Sequence, residues 1–206
     1  MATPGTFRSR VEAYPVSMLQ TSMVPKEFLS YRQVRNNALK LAHRIHREGF
    51  VPDVIYVSLR GGAYLGNVIS EYFKVVRRTE RPVFYAAVVA RSYQDIFSRE
   101  RVMVDGWTYS PEYLRSGDRV LLVDDIFDSG RTINHLVEII LEQGIPRTDV
   151  RIAVHDYKHR PDSNADLPIH PDYYCRRIDV TAGATDSWIH YLSHELVGLT
   201  AAEIRN

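Results

Sequence analysis

Residues 119–133 read RVLLVDDIFDSGRTI. A run of apolar residues leads straight into Asp124 and Asp125, and Asp128 then opens a Ser-Gly-Arg-Thr turn. The apolar run has the character of a buried strand. Carboxylates gathered at its end repel one another and lose water, so something cationic or hydroxylic must meet them. The turn that follows supplies small side chains, two hydroxyls and a row of backbone N–H groups at the start of a helix. Such a turn suits a terminal phosphate. The acid pair ahead of it suits the hydroxyls of a polyol, or helps to organise Mg²⁺ through water. The stretch therefore reads as a sugar-phosphate site. The same residues would also serve as a plain strand end, turn and helix N-cap. The preceding strand, the spacing and the following helix together favour the ligand. A P-loop is excluded, because GxxxxGK[ST] is absent.

Working outward, apolar strands alternate with amphipathic helices. Val34, Ala38, Leu41, Ala42 and Ile45 share one face of a helix expected over residues 31–48, which Gly49 ends. DVIYVSL, RPVFYAAVVAR, RVLLVDD, VRIAVHDY and YYCRRID read as strands, and AYLGNVISEYF and TINHLVEIILEQG as helices. WIHYLSHELVGLTAAEI reads as a closing helix-like segment. The alternation predicts an α/β fold, a central parallel sheet flanked by helices. Continuous apolar strands fit a sheet covered on both faces. In such sheets ligands bind beyond the carboxyl ends of the strands, where the unusual residues of this chain fall. The connection over residues 91–109 is long enough for a lid, with RVMV as one arm of a hairpin. Residues 159–187, rich in Pro, Asp and His, read as a small subdomain over the sheet edge. Residues 1–25 lack a period and read as an arm, leaving 26–206 as one domain.

The chain has 206 residues, enough for one domain with a real core. It is 45% hydrophobic and 25% charged, as soluble globular proteins are. A net charge of +1 points to neither a general nucleic-acid partner nor a membrane surface. No apolar run reaches membrane-spanning length. Cys175 is the single cysteine and cannot form an internal disulfide, which suits a reducing cytoplasm. The Arg- and Ser/Thr-containing start allows an organellar address, but its Glu and two Pro argue against one. His155 and His159, like His190 and His194, are four apart, but without HExxH or a cysteine pair they read as surface or base-proximal histidines.

VLLVDDIFDSGRT resembles the phosphoribosyl-pyrophosphate signature of type I phosphoribosyltransferases: apolar residues, an acidic pair, two residues, a small or acidic residue, then Thr/Ser-Gly-x-Thr. The resemblance covers residues 31–195 and implies a parallel sheet with a variable hood, formed mainly from 159–206. It implies that Asp124 and Asp125 face the ribose hydroxyls, and Mg²⁺ indirectly. Asp128, Ser129, Gly130, Arg131 and Thr132 would then cradle the 5-phosphate. In the 6-oxopurine branch the residue matching Asp128 is an acid near purine N7 and the proposed general base, so Asp128 favours that branch.

Other implications follow residue by residue. SLRGG places Leu59, Arg60, Gly61 and Gly62 at the pyrophosphate loop, where relatives often carry a non-proline cis peptide; Leu59–Arg60 is the candidate. Glycine permits close backbone approach there, and Arg60 would add charge-assisted hydrogen bonds. Ser92 and Tyr93 match the Ser-Tyr pair of the family lid. A lid keeps water from the oxocarbenium character that develops at ribose C1. Lys158 would donate to the exocyclic oxygen at purine C6, selecting an oxo purine over adenine. Trp188 would stack on the base and the Ile189 backbone would read its edge. Relatives continue with Pro-Trp and an acid; here Glu195 comes one residue later, which leaves its contact with Mg²⁺ or base C2 open. The resemblance implies phosphoribosyl pyrophosphate and a purine base as substrates, Mg²⁺ as cofactor and a homo-oligomer, dimer or tetramer. Two alternatives stand beside it. One is a non-catalytic nucleotide-sensing regulator, which would call for a helix-turn-helix or a basic face. The other is a phosphoribosyltransferase for another base.

Overall fold

The computed structural model describes residues 25–77, 81–94, 100–181 and 186–191. Eight strands and three α-helices follow in the order β1 (Lys26–Phe28), α1 (Tyr31–Arg47), β2 (Val54–Leu59), α2 (Ala63–Val76), β3 (Phe84–Gln94), β4 (Glu100–Trp107), β5 (Val120–Phe127), α3 (Arg131–Glu142), β6 (Val150–His159), β7 (Tyr173–Asp179) and β8 (Trp188–His190). Six strands form one sheet in the order β4-β3-β2-β5-β6-β7. All its pairs are parallel except β3–β4, which is antiparallel. No helix among the described residues is long and apolar enough to cross a membrane.

The continuous apolar strands have a simple cause. Alternate side chains enter two separate cores. Tyr56, Leu122, Ile152 and Val154 pack with Ile133, Leu136 and Ile140 of α3 on one face. Ile55, Val57, Leu121 and Val123 pack with Leu41, Ile45, Leu65 and Phe73 of α1 and α2 on the other. Strands covered on both faces need apolar residues at every position. The expected buried face of α1, Val34 to Ile45, is buried at all five positions. Ser30 and Gln33 close a capping box at its start.

β5 runs two residues past the acid pair, to Phe127, and stays paired with β6 through Phe127↔Tyr157. The expected strand ended at Asp125; the polar pair does not stop it because β6 keeps bonding its backbone. RVMV lies in β4, the second arm of a hairpin with β3.

The hood departs from expectation. Trp188–His190 is a strand, not the start of a helix. It pairs in parallel with Lys26–Phe28, as Lys26↔Trp188, Glu27↔Ile189 and Phe28↔His190. The helix-like spacing of apolar residues there is overruled by backbone partners from the opposite end of the chain. The remainder of the expected closing helix lies outside the described residues. Within the 159–206 stretch, β7 belongs to the main sheet rather than to the hood.

A buried charge network fastens this small sheet to the large one. Asp156, wholly buried on β6, accepts from His155 Nδ1 at 2.8 Å, from Arg176 Nε of β7 and from the Tyr191 hydroxyl just after β8. Arg176 also donates to Glu27 of β1. Burial disfavours the charged Asp156, yet the hydrogen bonds from His155 and Arg176 hold its carboxyl below the usual range. Burial, and then the Asp156 charge, push the Tyr191 hydroxyl far above its ordinary value, so it stays a donor.

Asp156 is wholly buried and removing it takes the shared acceptor from His155, Arg176 and Tyr191 at once, whereas Glu27 is 39% exposed and meets only Arg176. Asp156→Ala is therefore expected to cost roughly 3–5 kcal/mol in urea unfolding, and Glu27→Ala less than about 1 kcal/mol. Equal costs for the two would contradict this division of the network.

Candidate active site

The carboxyl edge of β2, β5 and β6 gathers the residues that the sequence singled out. Asp124 and Asp125 are both buried there, 8% and 7% exposed. Asp124 Oδ1 accepts from the Asp125 N–H at 2.9 Å, and Asp125 Oδ1 from the Ile126 N–H at 3.0 Å. Burial, and then the neighbouring Asp125 charge, push the Asp124 carboxyl well above the usual carboxylate range. Burial favours the neutral acid, which can donate to a hydroxyl, while a cation nearby favours the carboxylate, which can accept from one.

The loop after β2 lies directly against this pair. The peptide Leu59–Arg60 is cis. A Cβ on Gly61 would sit 2.1 Å from Asp125 Oδ2, and one on Gly62 would sit 2.9 Å from Asp124 Cα. At Gly62 only glycine lets the two backbones come this close, and at Gly61 a Cβ would displace the Asp125 carboxyl. Arg60 is exposed at the mouth of a cavity of about 360 Å³ that it shares with Gly61, Asn67, Asp125, His155 and Tyr191.

On the other side of Asp125 lies a second pocket of about 210 Å³, lined by Asp124, Asp125, Asp128, Ser129, Gly130 and Thr132 among others. Gly130 turns the chain into α3 at φ +78°, with Phe127 Cζ only 2.3 Å from where a Cβ would stand. Arg131 is exposed and does not line this pocket. The two cavities share Asp125 as a wall.

Lys158, at the end of β6, is 3% exposed. Its Nζ donates to Asp186 Oδ1 and to the Ser187 carbonyl, both at 2.8 Å, and lies 3.8 Å from Asp128 Oδ2. Arg160 completes a ring of alternating charge, with Nε 2.6 Å from Asp128 Oδ1 and Nη2 2.5 Å from Asp186 Oδ2. Burial disfavours charge on Asp186, but the bonds from Lys158 and Arg160 hold its carboxyl below the usual range. Trp188 follows Ser187 and is 61% exposed, while Ile189 is buried in the hood's own apolar cluster.

The structure thus brings Asp124 to Thr132, the Leu59–Gly62 loop, Lys158 and the start of β8 to one edge. Ser92 and Tyr93 lie in β3, opposite Val102 and Arg101, with side chains outside the described part. Glu195 lies outside the described residues. His155, expected at the surface or near the base, is wholly buried and donates to Asp156. His159 is 3.1 Å from Asp179. Sequence reasoning missed Arg160 and Asp186. The alternation in KHR, which puts Lys158 and Arg160 on the same side of a strand end, was the available signal for Arg160. Asp186 had only its closeness to Trp188.

Residues 26–187 match the family described as phosphoribosyl transferase domain. The chain belongs to that family. Two curated relatives share the name bifunctional protein PyrR. The one from Microcystis aeruginosa is 28% identical over 158 residues, 76% of this chain and 85% of its own. The one from Synechocystis is 28% identical over 149 residues, 71% and 79%. Among solved structures, a purine phosphoribosyltransferase from Pyrococcus horikoshii superposes with a TM-score of 0.59 at 23% identity, over 80% of this chain and 91% of that one. A hypothetical protein from Neisseria gonorrhoeae with bound ppGpp gives 0.63 at 20%, over 85% and 93%. These structures share the type I phosphoribosyltransferase fold, a mostly parallel sheet flanked by helices, with this chain.

A carboxyl whose pKa is raised on folding contributes stability that is complete below its unfolded pKa and lost as pH rises through the folded one. Wild-type Asp124 therefore weakens the fold at neutral pH and above. Asp124→Asn is expected to raise Tm at about pH 8 by roughly 2–4 °C, on the order of 1 kcal/mol, with the gap closing towards about pH 4. Thermal melts across that range test it; a gap that is constant or reversed contradicts it.

Proposed function

We propose that this chain transfers the 5-phosphoribosyl group of phosphoribosyl pyrophosphate to a 6-oxopurine, giving a nucleoside 5'-monophosphate and pyrophosphate. The observation that carries this reading is the position of the Lys158 ammonium, 3.8 Å from Asp128 of the phosphate loop and 2.8 Å from the Ser187 carbonyl beside Trp188. One cation thus stands between the sugar-phosphate loop and the exposed Trp188. An ammonium has three hydrogens. Two are spent on Asp186 and Ser187, which leaves one for an exocyclic oxygen at C6. Adenine offers a donor at that point and gains nothing from a cation.

The remaining geometry supports the same substrate. The 5-phosphate takes the amides and hydroxyls from Asp128 to Thr132. The ribose hydroxyls take Asp124 and Asp125, and the pyrophosphate extends past Asp125 towards Arg60 and the Gly61 backbone. The base stacks on Trp188. A purine nitrogen attacks C1 as the bond from C1 to the pyrophosphate oxygen breaks, and the electron pair leaves with pyrophosphate. Asp128 accepts the proton at N7. Its present bond to Arg160 loosens for that step, and Arg160 keeps Asp186. Catalysis is then positioning plus stabilisation of separating charge. Among the described residues no group of three or more His, Cys, Asp or Glu could hold a metal. The donor set fits Mg²⁺ that arrives on the pyrophosphate, with Asp124 and Asp125 meeting it through water. When bound, Mg²⁺ neutralises the leaving pyrophosphate.

The names of the relatives leave the base open, so the test spans several. Protein, Mg²⁺ and phosphoribosyl pyrophosphate are mixed with xanthine, guanine, hypoxanthine, adenine or uracil, and pyrophosphate release is followed. Release is expected with at least one 6-oxopurine and not with adenine or uracil. Lys158→Met should lower kcat/KM for that purine by roughly 10- to 100-fold. No release with any base, or release with uracil alone, overturns the proposal.

A further inference from the structure

A loop that grips an anion through its N–H groups must turn its carbonyl oxygens away from that anion. Carbonyls turned inward are buried and need donors of their own. Two asparagine side chains supply them. Asn164, wholly buried, donates from Nδ2 to the Asp128 carbonyl at 2.6 Å and to the Lys158 carbonyl at 2.8 Å. Its Oδ1 accepts the Arg160 N–H at 2.8 Å. Asn134, on α3 and 5% exposed, donates from Nδ2 to the Gly130 carbonyl at 3.0 Å, adding to the bond that its own backbone N–H makes there at 3.0 Å, and to the Ile169 carbonyl at 2.9 Å.

The two amides do parallel work. Each spends one hydrogen on a carbonyl of the phosphate loop and the other on a carbonyl outside it, Lys158 at the end of β6 for Asn164 and Ile169 in the segment after β6 for Asn134. An amide nitrogen is the side-chain group that offers two hydrogens and no charge. A carboxylate of the same shape would set negative charge against two carbonyl oxygens.

We infer that Asn134 and Asn164 are positioning residues for the phosphate loop, holding its carbonyls inward so that its amides face the 5-phosphate. The inference rests on the reading of Asp128 to Thr132 as that phosphate's site. Asn164 does a second job. Through the Lys158 carbonyl and the Arg160 N–H it ties the base-contacting strand end to the same loop. Asn134 has no such link, so the two residues differ in what they control.

The test uses the full chain and two readouts. Ribose 5-phosphate binding is measured by calorimetry, and KM is measured separately for phosphoribosyl pyrophosphate and for the base. Asn134→Ala is expected to weaken ribose 5-phosphate about tenfold and to raise KM for phosphoribosyl pyrophosphate alike, with KM for the base unchanged. Asn164→Ala should raise both KM values. Should Asn164→Ala fail to fold, Asn164→Ser and the Asn134 variant carry the comparison. Folded variants that bind ribose 5-phosphate as the wild type does overturn the inference while the phosphoribosyl reading stands. Variants with a lower Tm and lower kcat but unaltered KM and binding likewise overturn it, since that pattern marks a purely structural role. A wild type that does not bind ribose 5-phosphate sinks the underlying reading and the inference together.

Discussion

Two adjacent carboxylates, buried side by side at the end of a sheet strand, are the constraint around which the rest is arranged. Burial and the neighbouring Asp125 charge both oppose charging Asp124, so holding the pair there costs free energy. The chain spends further constraint to keep them there. Gly61 and Gly62 bring a second backbone against them where no Cβ would fit. β6 bonds the backbone of β5 past them. A site kept open at such expense makes sense if a hydroxylated ligand recovers the loss.

The hood is held by charge rather than by area. Its two strands are three residues each and share a small apolar cluster. What fixes it is the buried set of Asp156, Arg176, His155 and Tyr191 on one side and the ring of Lys158, Asp186, Arg160 and Asp128 on the other. The two sets differ in depth. Asp156 is wholly buried, whereas Asp128 is 47% exposed and so open to exchange of partners. The deep set anchors the hood, and the proposed reaction has the base enter at the shallow set.

Much of this was legible in the residues. The centre of the sheet follows from strands apolar at nearly every position and helices apolar on one face, and both patterns were local. The turn from Asp124 to Thr132 stood out because acids, small residues and hydroxyls stand together within a dozen positions, and the structure gathers most of them around one pocket. The hood was not. A three-residue strand has no period to read, and the partner of Trp188–His190 lies far away at Lys26–Phe28. Asn164 gave no signal at all, because an asparagine in a Pro- and Asp-rich turn ordinarily faces water; it is buried because it alone meets two carbonyls and an N–H. His155 misled for the opposite reason. Spaced four from His159 it read as a surface or base-proximal histidine, yet it and its neighbour Asp156 are buried as a bonded pair.

The central claim is that the turn leaving β5 holds a phosphorylated pentose, amides to the phosphate and acids to the ring. A crystal structure with a purine nucleoside 5'-monophosphate tests it most directly. The account expects the phosphate against the backbone of Asp128 to Thr132 and the ribose hydroxyls within hydrogen-bond distance of Asp124 and Asp125. A nucleotide lodged elsewhere, with that turn empty or closed over by protein, would contradict it.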